Sequence, residues 1–282
     1  DEGEWRADGL AACPTPTATP GAGEHAAPAA PYMDLAETNP AWTTALDVEI
    51  RSPVTYADGS VYVGTAAGVV AVDPRNGRER FRVPLDGPVN GAPAVGDGRV
   101  FAVTAGGHLA GIAADADGEG ADRVDWEATL GDGSSAGPTV ADGTVFVAGD
   151  AGRISAYTVE GDRVWTRSVD AGVAGGTAVT DTHVIVGTEA GGVAALARAD
   201  GAPAWRAAAR GPARGTPAVA GGIDTTAYAA DHDGTLSAFD ASDGTVRFRR
   251  EIGRWLDAPP AVGHGAVFVA DQTGRVYAVV GD

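Results

Sequence analysis

Residues Gly234 to Phe248 have the sequence GTLSAFDASDGTVRF, and this stretch decides the fold. Side chains alternate in character from Leu236 to Asp240 and again from Val246 to Phe248, with the pair Asp243-Gly244 between the two runs. A two-residue period on both sides of an Asp-Gly pair is typical of a β-hairpin. The stretch therefore predicts two short antiparallel strands joined by a tight turn.

The same unit recurs along the chain. Further copies are AVDPRNGRERF at 71–81, AYTVEGDRVW at 156–165 and ALARADGAPAW at 195–205. A second marker is a proline, once replaced by threonine, before a short strand: Pro53, Pro93, Pro138, Thr177, Pro217 and Pro260. A third is an Asp-Gly-type turn into a strand, which begins at Asp58, Asp97 and Asp142, and in looser form at Asp181, Gly222 and His264. The recurrence predicts a repeat architecture.

The spacing of the copies indicates which repeat fold this is. A Gly-x-apolar-x-Ala segment ends at Ala71, Gly111, Ala156, Ala195, Ala238 and Ala278, so that successive copies lie 40, 45, 39, 43 and 40 residues apart. Four short strands in about 40 residues are typical of a β-propeller blade. We therefore expect an all-β chain folded as a single β-propeller of six four-stranded blades. Seven or eight blades remain the alternative if residues 1–41 hold degenerate strands.

The two ends of the repeat are predicted to complete each other. The sixth copy ends after Val280, short of its fourth strand, whereas Trp42 in AWTTALDVEI precedes the first copy and provides the missing aromatic strand. Pairing of the N- and C-terminal strands would close the ring and leave few exposed sheet edges. The predicted division is therefore a lead-in and arm at 1–41 and the propeller at 42–282.

The arm differs from the rest of the chain in composition. Cys13 to Pro31 contains five prolines and almost no large apolar side chain, which favours an extended polyproline-like segment. Trp5 is expected to anchor the arm on the propeller; the alternative is an arm that reaches another subunit or the cell envelope. Leu10 to Cys13 resembles a lipidation signal, but the charged residues before it favour a plain free cysteine.

Charge and cysteine content exclude several classes of function. The net charge is −18 and all 20 basic residues are arginine, a pattern typical of halophilic archaeal proteins, since concentrated salt screens self-repulsion within about 3 Å. Such a surface repels nucleic acid and anionic lipid. The single cysteine excludes an intrachain disulfide and a multi-cysteine metal site. No stretch approaches the roughly 20 apolar residues of a transmembrane segment.

The turn pattern Ala-x-Asp-x-x-(Thr/Asn)-Gly-x-x-x-Trp resembles the repeat of the PQQ-like β-propellers. Residues 71–81 and 238–248 match it, while 195–205 keeps Ala, Gly and Trp but has Ala197 in the usual Asp position. The resemblance covers about residues 42–280. It implies that the aromatic residue ending each copy packs between neighbouring blades, a role that falls here to Trp42, Phe81, Trp126, Trp165, Trp205 and Phe248.

The PQQ-like family contains both enzymes and binding proteins. Its quinoprotein dehydrogenases bind PQQ and calcium, are about twice as long, and carry adjacent cysteines, which a chain with one cysteine lacks. Other members are non-catalytic, among them the propeller lipoprotein of the bacterial outer-membrane protein assembly machinery. The resemblance thus implies a non-enzymatic scaffold without PQQ, outside the cell or tethered to its surface, that binds a protein partner or self-associates.

The segment Gly253-Arg254-Trp255-Leu256-Asp257 is the main departure from the repeat. In a propeller it would lie at the channel mouth, where a Trp with charged neighbours could anchor a partner. The predicted ligand or partner residues at this mouth are Arg51, Asn90, Ser135, Arg214, Arg254, Trp255 and Asp257. Three alternatives are a Trp255 that plugs the channel or packs on the arm, an enzyme or receptor that binds a small ligand or quinone there, and a surface subunit that self-assembles through the arm.

The second copy contains an acidic loop. Its carboxylates have the spacing of a calcium loop, but the twelfth position, where such a loop needs glutamate, is Trp126. An extended acidic hairpin is therefore favoured, with a weak calcium site as the alternative, formed by Asp115, Asp117, Glu119 and Asp122. The five histidines have no paired spacing, which disfavours zinc, and Asp231-His232-Asp233 is interpreted as a turn.

Overall fold

The computed structural model describes residues 41–114, 120–221 and 225–280. They form six antiparallel sheets that follow one another along the chain, the first five with four strands and the sixth with three. The first two sheets consist of β1 (Ile50–Ala57), β2 (Ser60–Thr65), β3 (Gly68–Val72), β4 (Glu79–Pro84), β5 (Ala94–Gly96), β6 (Arg99–Val103), β7 (His108–Ala113) and β8 (Val124–Thr129). The predicted all-β propeller class is confirmed.

The other four sheets repeat this plan. The third and fourth consist of β9 (Thr139–Ala141), β10 (Thr144–Ala148), β11 (Arg153–Thr158), β12 (Arg163–Ser168), β13 (Ala178–Val179), β14 (His183–Thr188), β15 (Gly192–Ala197) and β16 (Pro203–Ala208). The fifth and sixth consist of β17 (Ala218–Ala220), β18 (Thr226–Ala230), β19 (Thr235–Asp240), β20 (Val246–Glu251), β21 (Ala261–Gly263), β22 (Ala266–Ala270) and β23 (Val276–Val280).

Two kinds of turn recur within the sheets, one after the first strand and one after the third. The Asp-Gly pairs make two-residue hairpins: Asp58 and Gly59 have φ of 48° and 71°, both positive, as a type I′ turn requires. The turn between third and fourth strands is stabilised by an Asp side chain. In the opening stretch the Asp240 carboxylate accepts the Ser242 N–H at 2.9 Å, and β19 and β20 form the predicted hairpin.

Consecutive sheets pack face to face, and this packing builds the core. One cluster joins Phe146 and Trp165 of the third sheet to Val184 and Val186 of the fourth, all at most 5% exposed. A side-chain bond also crosses from the innermost strand of one sheet to the next, since Thr139 Oγ1 donates to the Thr177 carbonyl at 2.8 Å. The small side chains of the sequence allow this close sheet-on-sheet contact.

The aromatic residues of the fourth strands lie between sheets. The indole N–H of Trp126, Trp165 and Trp205 donates to a main-chain carbonyl in the next sheet's outer turn. The three bonds, to Val159, Arg198 and Ala241, measure 2.9, 2.9 and 3.0 Å. Each ring lies against a turn glycine, Gly161, Gly201 or Gly244. Phe81 instead lies under the Arg123 guanidinium, 4.2 Å from the ring centre, and Phe248 lies 6.3 Å from the Tyr228 ring.

The N-terminal segment 41–49 contacts the first sheet as predicted but does not pair with the sixth sheet. Trp42 donates its indole N–H to the Pro74 carbonyl at 2.9 Å and lies against Gly77, so it meets the first sheet as the other tryptophans meet theirs. The sixth sheet, however, has three strands, and no ladder within the described ranges joins β23 to residues 41–49. The predicted closing pair is thus not observed among the described residues, and Trp42, Thr44 and Leu46 instead bond to the first sheet.

Parts of the predicted organisation lie outside the described residues. These are residues 1–40 of the arm and Asp115, Asp117 and Glu119 of the acidic loop. The loop ends in a short 3-10 helix, Gly120–Arg123. Within the described ranges, no helix combines the length and apolar character needed to cross a membrane.

Candidate functional site

The loops between sheets and the turns between second and third strands meet on one face of the propeller, here called the mouth surface. In the first five sheets the N–H of this turn donates to a carbonyl of the segment that enters the same sheet. Such bonds join Asp150 to Gly133 at 2.7 Å and His232 to Pro212 at 2.8 Å. The pairing fixes each loop against two successive sheets, so side chains from distant parts of the sequence are held close together.

Equivalent positions on this surface differ sharply between sheets. The loop position three residues before the Pro marker carries Asn90, Ser135, Ala174, Arg214 and Asp257. The facing turn position carries Ala66, Ala105, Asp150, Glu189, His232 and Gln272. The first two sheets thus present alanines at the turn position, and the last four present charged or hydrogen-bonding side chains. The sheets therefore differ in side-chain chemistry at these two positions.

Five of these side chains form a continuous polar arc, defined by Glu189, Arg214, His232, Asp257 and Gln272. Asp257 is its centre: one carboxylate oxygen lies 2.9 Å from His232 Nδ1, and the other accepts the Gln272 amide at 2.6 Å. Arg214 lies 3.9 Å from the same Asp257 carboxylate through Nη1 and 3.9 Å from Glu189 through Nε. The arc spans the fourth, fifth and sixth sheets.

The geometry at Asp257 fixes the hydrogen-bonding role of His232. Nδ1 of His232 lies 2.9 Å from the Asp257 carboxylate and 3.3 Å from Arg214 Nη1. A carboxylate can only accept, so the shorter contact requires that Nδ1 carry the proton and donate to Asp257. Arg214 then cannot donate to Nδ1, and its attraction is to the carboxylate. The Nε2 side of a neutral His232 ring is left as an acceptor.

Trp255 occupies a place where the other loops have proline or glycine. The equivalent residues are Pro88, Gly133, Gly172 and Pro212. Trp255 has φ of 55° and donates its backbone N–H to the His232 carbonyl at 3.1 Å. Leu256, next in the chain, is fully buried in a cluster of the fifth and sixth sheets. Leu256 and the backbone bond hold the loop, and Trp255 itself is 44% exposed, two residues before Asp257 of the polar arc.

The remaining predicted mouth residues are distributed more widely. Ser135 donates both its N–H and its hydroxyl to Asp150 at 2.8 Å, which makes a separate pair at the third sheet. Arg51 pairs with Glu49 at 2.9 Å on the first strand. Asn90 is half-buried and Arg254 is exposed. The structure therefore brings Arg214, Asp257 and Trp255 together, while Ser135 and Arg51 bind within their own parts of the surface.

Three residues of the arc are not among the predicted site residues: Glu189, His232 and Gln272. Within the segment predicted to be a turn, Asp231 does have that role, since its buried carboxylate accepts the Thr235 N–H at 2.9 Å and the Gly211 N–H at 3.3 Å. His232 instead faces Asp257. The signal that could have found these residues is their shared repeat position in the turn one or two residues after the end of the second strand.

The acidic loop is the predicted metal site. No group of three or more His, Cys, Asp or Glu side chains in the described ranges has the arrangement of a metal site. Asp122 is exposed in the 3-10 helix, and its three predicted co-ligands lie outside those ranges. The calcium site remains a prediction.

Comparison with known proteins identifies a family. A family model described as outer membrane protein assembly factor BamB matches residues 33–121, 118–174 and 150–280. The protein of that name from Yersinia pestis is 28% identical over 257 residues, which cover 88% of this chain and 55% of the relative. The Moranella endobia protein is 28% identical over 236 residues, 82% of this chain and 51% of the relative. The chain spans about half the length of these curated relatives.

A solved structure has the same fold. The crystal structure of BamB from Moraxella catarrhalis aligns with a TM-score of 0.54 and 21% sequence identity, and the alignment covers 84% of each chain. At this identity the similarity establishes the propeller fold alone.

Proposed function

Since the chain belongs to the family described as outer membrane protein assembly factor BamB, we propose that it is a non-catalytic propeller that binds a protein partner through the polar arc and Trp255. The observation that carries the proposal is the combination of an exposed tryptophan on a fixed backbone with an arginine and a bonded His-Asp pair. Exposed Trp and Arg side chains of this kind are the usual anchors of protein interfaces.

The site is preorganised for binding. Arg214 lies between two carboxylates, and Asp257 is bonded on both oxygens, so the charged groups already have defined positions in the free protein. The loop that carries Trp255 is held by the buried Leu256 and by the backbone bond from Trp255 to His232. A surface whose side chains are already ordered loses less conformational entropy when a partner binds. This arrangement favours recognition of a folded or extended protein segment.

The charge of the surface indicates the chemistry of the partner. Glu189 is about half-exposed at one end of the arc, and Asp150 lies at the neighbouring sheet. The net charge of −18 adds a negative long-range potential. We therefore infer a partner segment that presents basic side chains to the arc and an apolar group to Trp255.

The location is proposed on the same grounds. The names of the matched relatives refer to the outer membrane, and the acidic, lysine-free composition suits concentrated salt. We propose an exported protein at the cell surface or outside the cell, adapted to high salt and without a resident cofactor. The arm at 1–41 is proposed as its tether.

Site-directed photocrosslinking tests the binding surface. A photoreactive residue at position 255 should crosslink a defined protein from envelope fractions of the source organism. The same residue at Val164, which is half-exposed on β12, is the matched control. The product should disappear when Asp257→Asn or Arg214→Ala is added to the position 255 variant. An identical product from both positions, or one that survives both substitutions, would contradict the proposal.

A small-ligand function is tested by calorimetry on the unmodified chain. Titration with PQQ in the presence of calcium should give no saturable heat. Saturable binding that Trp255→Ala abolishes would favour the alternative, a cofactor or small-ligand site at the mouth, and would overturn the non-catalytic proposal.

A further inference from the structure

The loops that leave successive sheets change the sign of their charge around the mouth surface. At the positions six and seven residues before the Pro or Thr marker, the loops leaving the first three sheets each carry one aspartate: Asp86, Asp132 and Asp170. The loops leaving the fourth and fifth sheets each carry one arginine at these positions instead, Arg210 and Arg254. Equivalent places on the two sides of the surface therefore have opposite charges.

The positive charge continues from these two loops into the strands before them. Segments 206–214 and 247–254 have the sequences RAAARGPAR and RFRREIGR, which together hold seven of the 20 arginines and one acidic residue, Glu251. The equivalent segment of the second sheet, 127–135, has two acidic residues and no arginine. In a chain with a net charge of −18, the fourth and fifth sheets thus carry a local excess of positive charge.

Contacts hold the two arginine-rich segments side by side. Arg249 on β20 donates a hydrogen bond to the Ala208 carbonyl of β16, and Arg210 Nη1 lies 3.8 Å from the Glu251 carboxylate. The backbone N–H of Arg210 donates to the buried carboxylate of Asp231 at 3.2 Å, which fixes its loop. The exposed arginines of this region are here called the arginine margin: Arg210, Arg249, Arg250 and Arg254.

The guanidinium groups of the margin have few partners within the molecule. Arg99 and Arg198 each lie 2.8 Å from a carboxylate oxygen, whereas Arg210 comes no closer than 3.8 Å to one. Among the described residues, no hydrogen bond or ion pair involves the side chain of Arg250 or Arg254. The chain has 38 acidic residues, so carboxylates are abundant. The margin therefore keeps guanidinium donors available to another molecule.

Protection of a sheet edge does not account for the whole margin. Charged side chains on an edge strand hinder its pairing with other chains, and this role would suffice for Arg249 and Arg250 on β20. Arg210 and Arg254, however, lie in loops after β16 and β20, where no strand edge needs protection. Contact with an anionic partner accounts for all four arginines.

We propose that the arginine margin binds an acidic segment of a protein. This surface is distinct from the polar arc, for which a basic segment was inferred, and it does not depend on binding there. Planar guanidinium groups pair with carboxylates through two parallel N–H···O bonds. Trp255 follows Arg254 and is 44% exposed, so a segment that mixes carboxylates with apolar side chains fits. The net charge of −18 disfavours a densely charged polyanion, which it repels over a longer range.

Concentrated salt leaves this recognition in place. The screening length is about 3 Å at 1 M salt, close to the distance of about 2.8 Å between the donor and acceptor atoms of a guanidinium–carboxylate pair. Salt therefore removes the long-range repulsion between two acidic molecules, while groups in direct contact still attract one another. The acidic partner is expected to bind in spite of the net charge of the chain.

Fluorescence anisotropy with a labelled Glu-Ala repeat peptide tests the proposal on the full chain in about 1 M potassium chloride. The peptide should bind saturably, and a Gln-Ala peptide of the same length should not. Arg250→Gln combined with Arg254→Gln should weaken binding about tenfold or more, because charge-assisted hydrogen bonds are lost. Arg163→Gln combined with Arg167→Gln, the same change in net charge on exposed residues of β12, should leave the affinity unchanged.

Two kinds of result would overturn the proposal. One is the absence of saturable binding by the unmodified chain, or an equal loss of affinity in the two double variants, which would show an effect of overall charge. The other is tighter binding of polyphosphate or a sulfated polysaccharide than of the Glu-Ala peptide, because the margin would then recognise another class of polyanion.

Arginine-specific labelling gives a second measurement that does not depend on a variant folding. A dicarbonyl reagent modifies exposed guanidinium groups, and mass spectrometry reads each site in the unmodified chain. The Glu-Ala peptide should protect Arg250 and Arg254 from the reagent and leave Arg163 reactive. Equal protection at all three residues, or no protection at the margin, would contradict the assignment of this surface.

Discussion

At the residue scale, the junctions between sheets depend on glycines beneath aromatic rings. Gly201 has φ of 70°, and a Cβ there would lie 2.6 Å from the Trp165 ring. Gly143 has nearly the same backbone, with φ of 69°, but a Cβ there would meet nothing within 4 Å. The two positions therefore separate the requirement for a left-handed backbone from the requirement for space.

This difference gives a direct prediction. Gly143→Ala should lower the free energy of unfolding by about 1–2 kcal/mol, the cost of the left-handed conformation. Gly201→Ala should lower it by a further ~1–3 kcal/mol, because the ring must shift. Urea denaturation of both variants measures the difference. Equal losses would show that the ring contact does not determine the choice of glycine.

Two turn aspartates predict how stability depends on pH. Hydrogen bonds from Ser242, and then from Arg247, lower the pKa of Asp240 from 3.8 to about 2. The pKa of Asp271 is lowered further, first by the Thr273 hydroxyl and also by the Tyr277 hydroxyl. Since the folded pKa values lie below the unfolded ones, stability is fully present above about pH 4 and is lost as the pH falls toward 2.

The contribution of Asp271 can be isolated by substitution. Asp271→Asn should lower stability at neutral pH and flatten the fall in stability between about pH 4 and pH 2, because the titrating carboxylate is gone. Thermal melts across this range would measure both effects. Asp243→Asn, in an exposed turn, is the control. An unchanged slope in Asp271→Asn would contradict the assignment.

At the scale of the element, the fourth strands stabilise the molecule through their tryptophans, whereas the mouth loop presents one to solvent. Trp165 is 5% exposed and donates to the Arg198 carbonyl. Trp255 is 44% exposed and is held by its backbone. Tryptophan therefore packs between sheets in the fourth strand and is exposed to solvent in the mouth loop.

Alanine substitution should show that contrast. Trp165→Ala should destabilise the protein by about 3–5 kcal/mol, since a cavity opens between two sheets. Trp255→Ala should change stability by no more than about 0.5 kcal/mol and should weaken partner binding. Guanidinium denaturation of the two variants provides the comparison. A large loss of stability in Trp255→Ala would mean that the ring has a packing role.

At the scale of the whole molecule, charge governs behaviour. With 38 acidic and 20 basic residues, the chain repels itself in dilute buffer. Tm should therefore rise with potassium chloride, most steeply at low concentration, where the screening length changes most. An uncharged osmolyte at equal osmolality is the control and should raise Tm less.

Many features of this molecule depend only on residues that are neighbours in the sequence, and these features could therefore be predicted from the sequence. Hairpins such as Asp243-Gly244 depend on a few adjacent residues, and the repeat of aromatic, glycine and proline markers determined the strands, their order and the propeller class. The same repeat spacing predicts which residues lie between sheets, such as Trp165 and Gly201.

The polar arc and the relation between the first and last strands depend on how the sheets pack and could not be read from the sequence. Glu189 and Gln272 are far apart in sequence and meet on one surface through the stacking of successive sheets, so no local pattern marks His232 as the neighbour of Asp257. Closure likewise depends on the angles accumulated over all the packed junctions. The sequence predicted that the segment containing Trp42 pairs with the sixth sheet, whereas the structure has no ladder between residues 41–49 and β23.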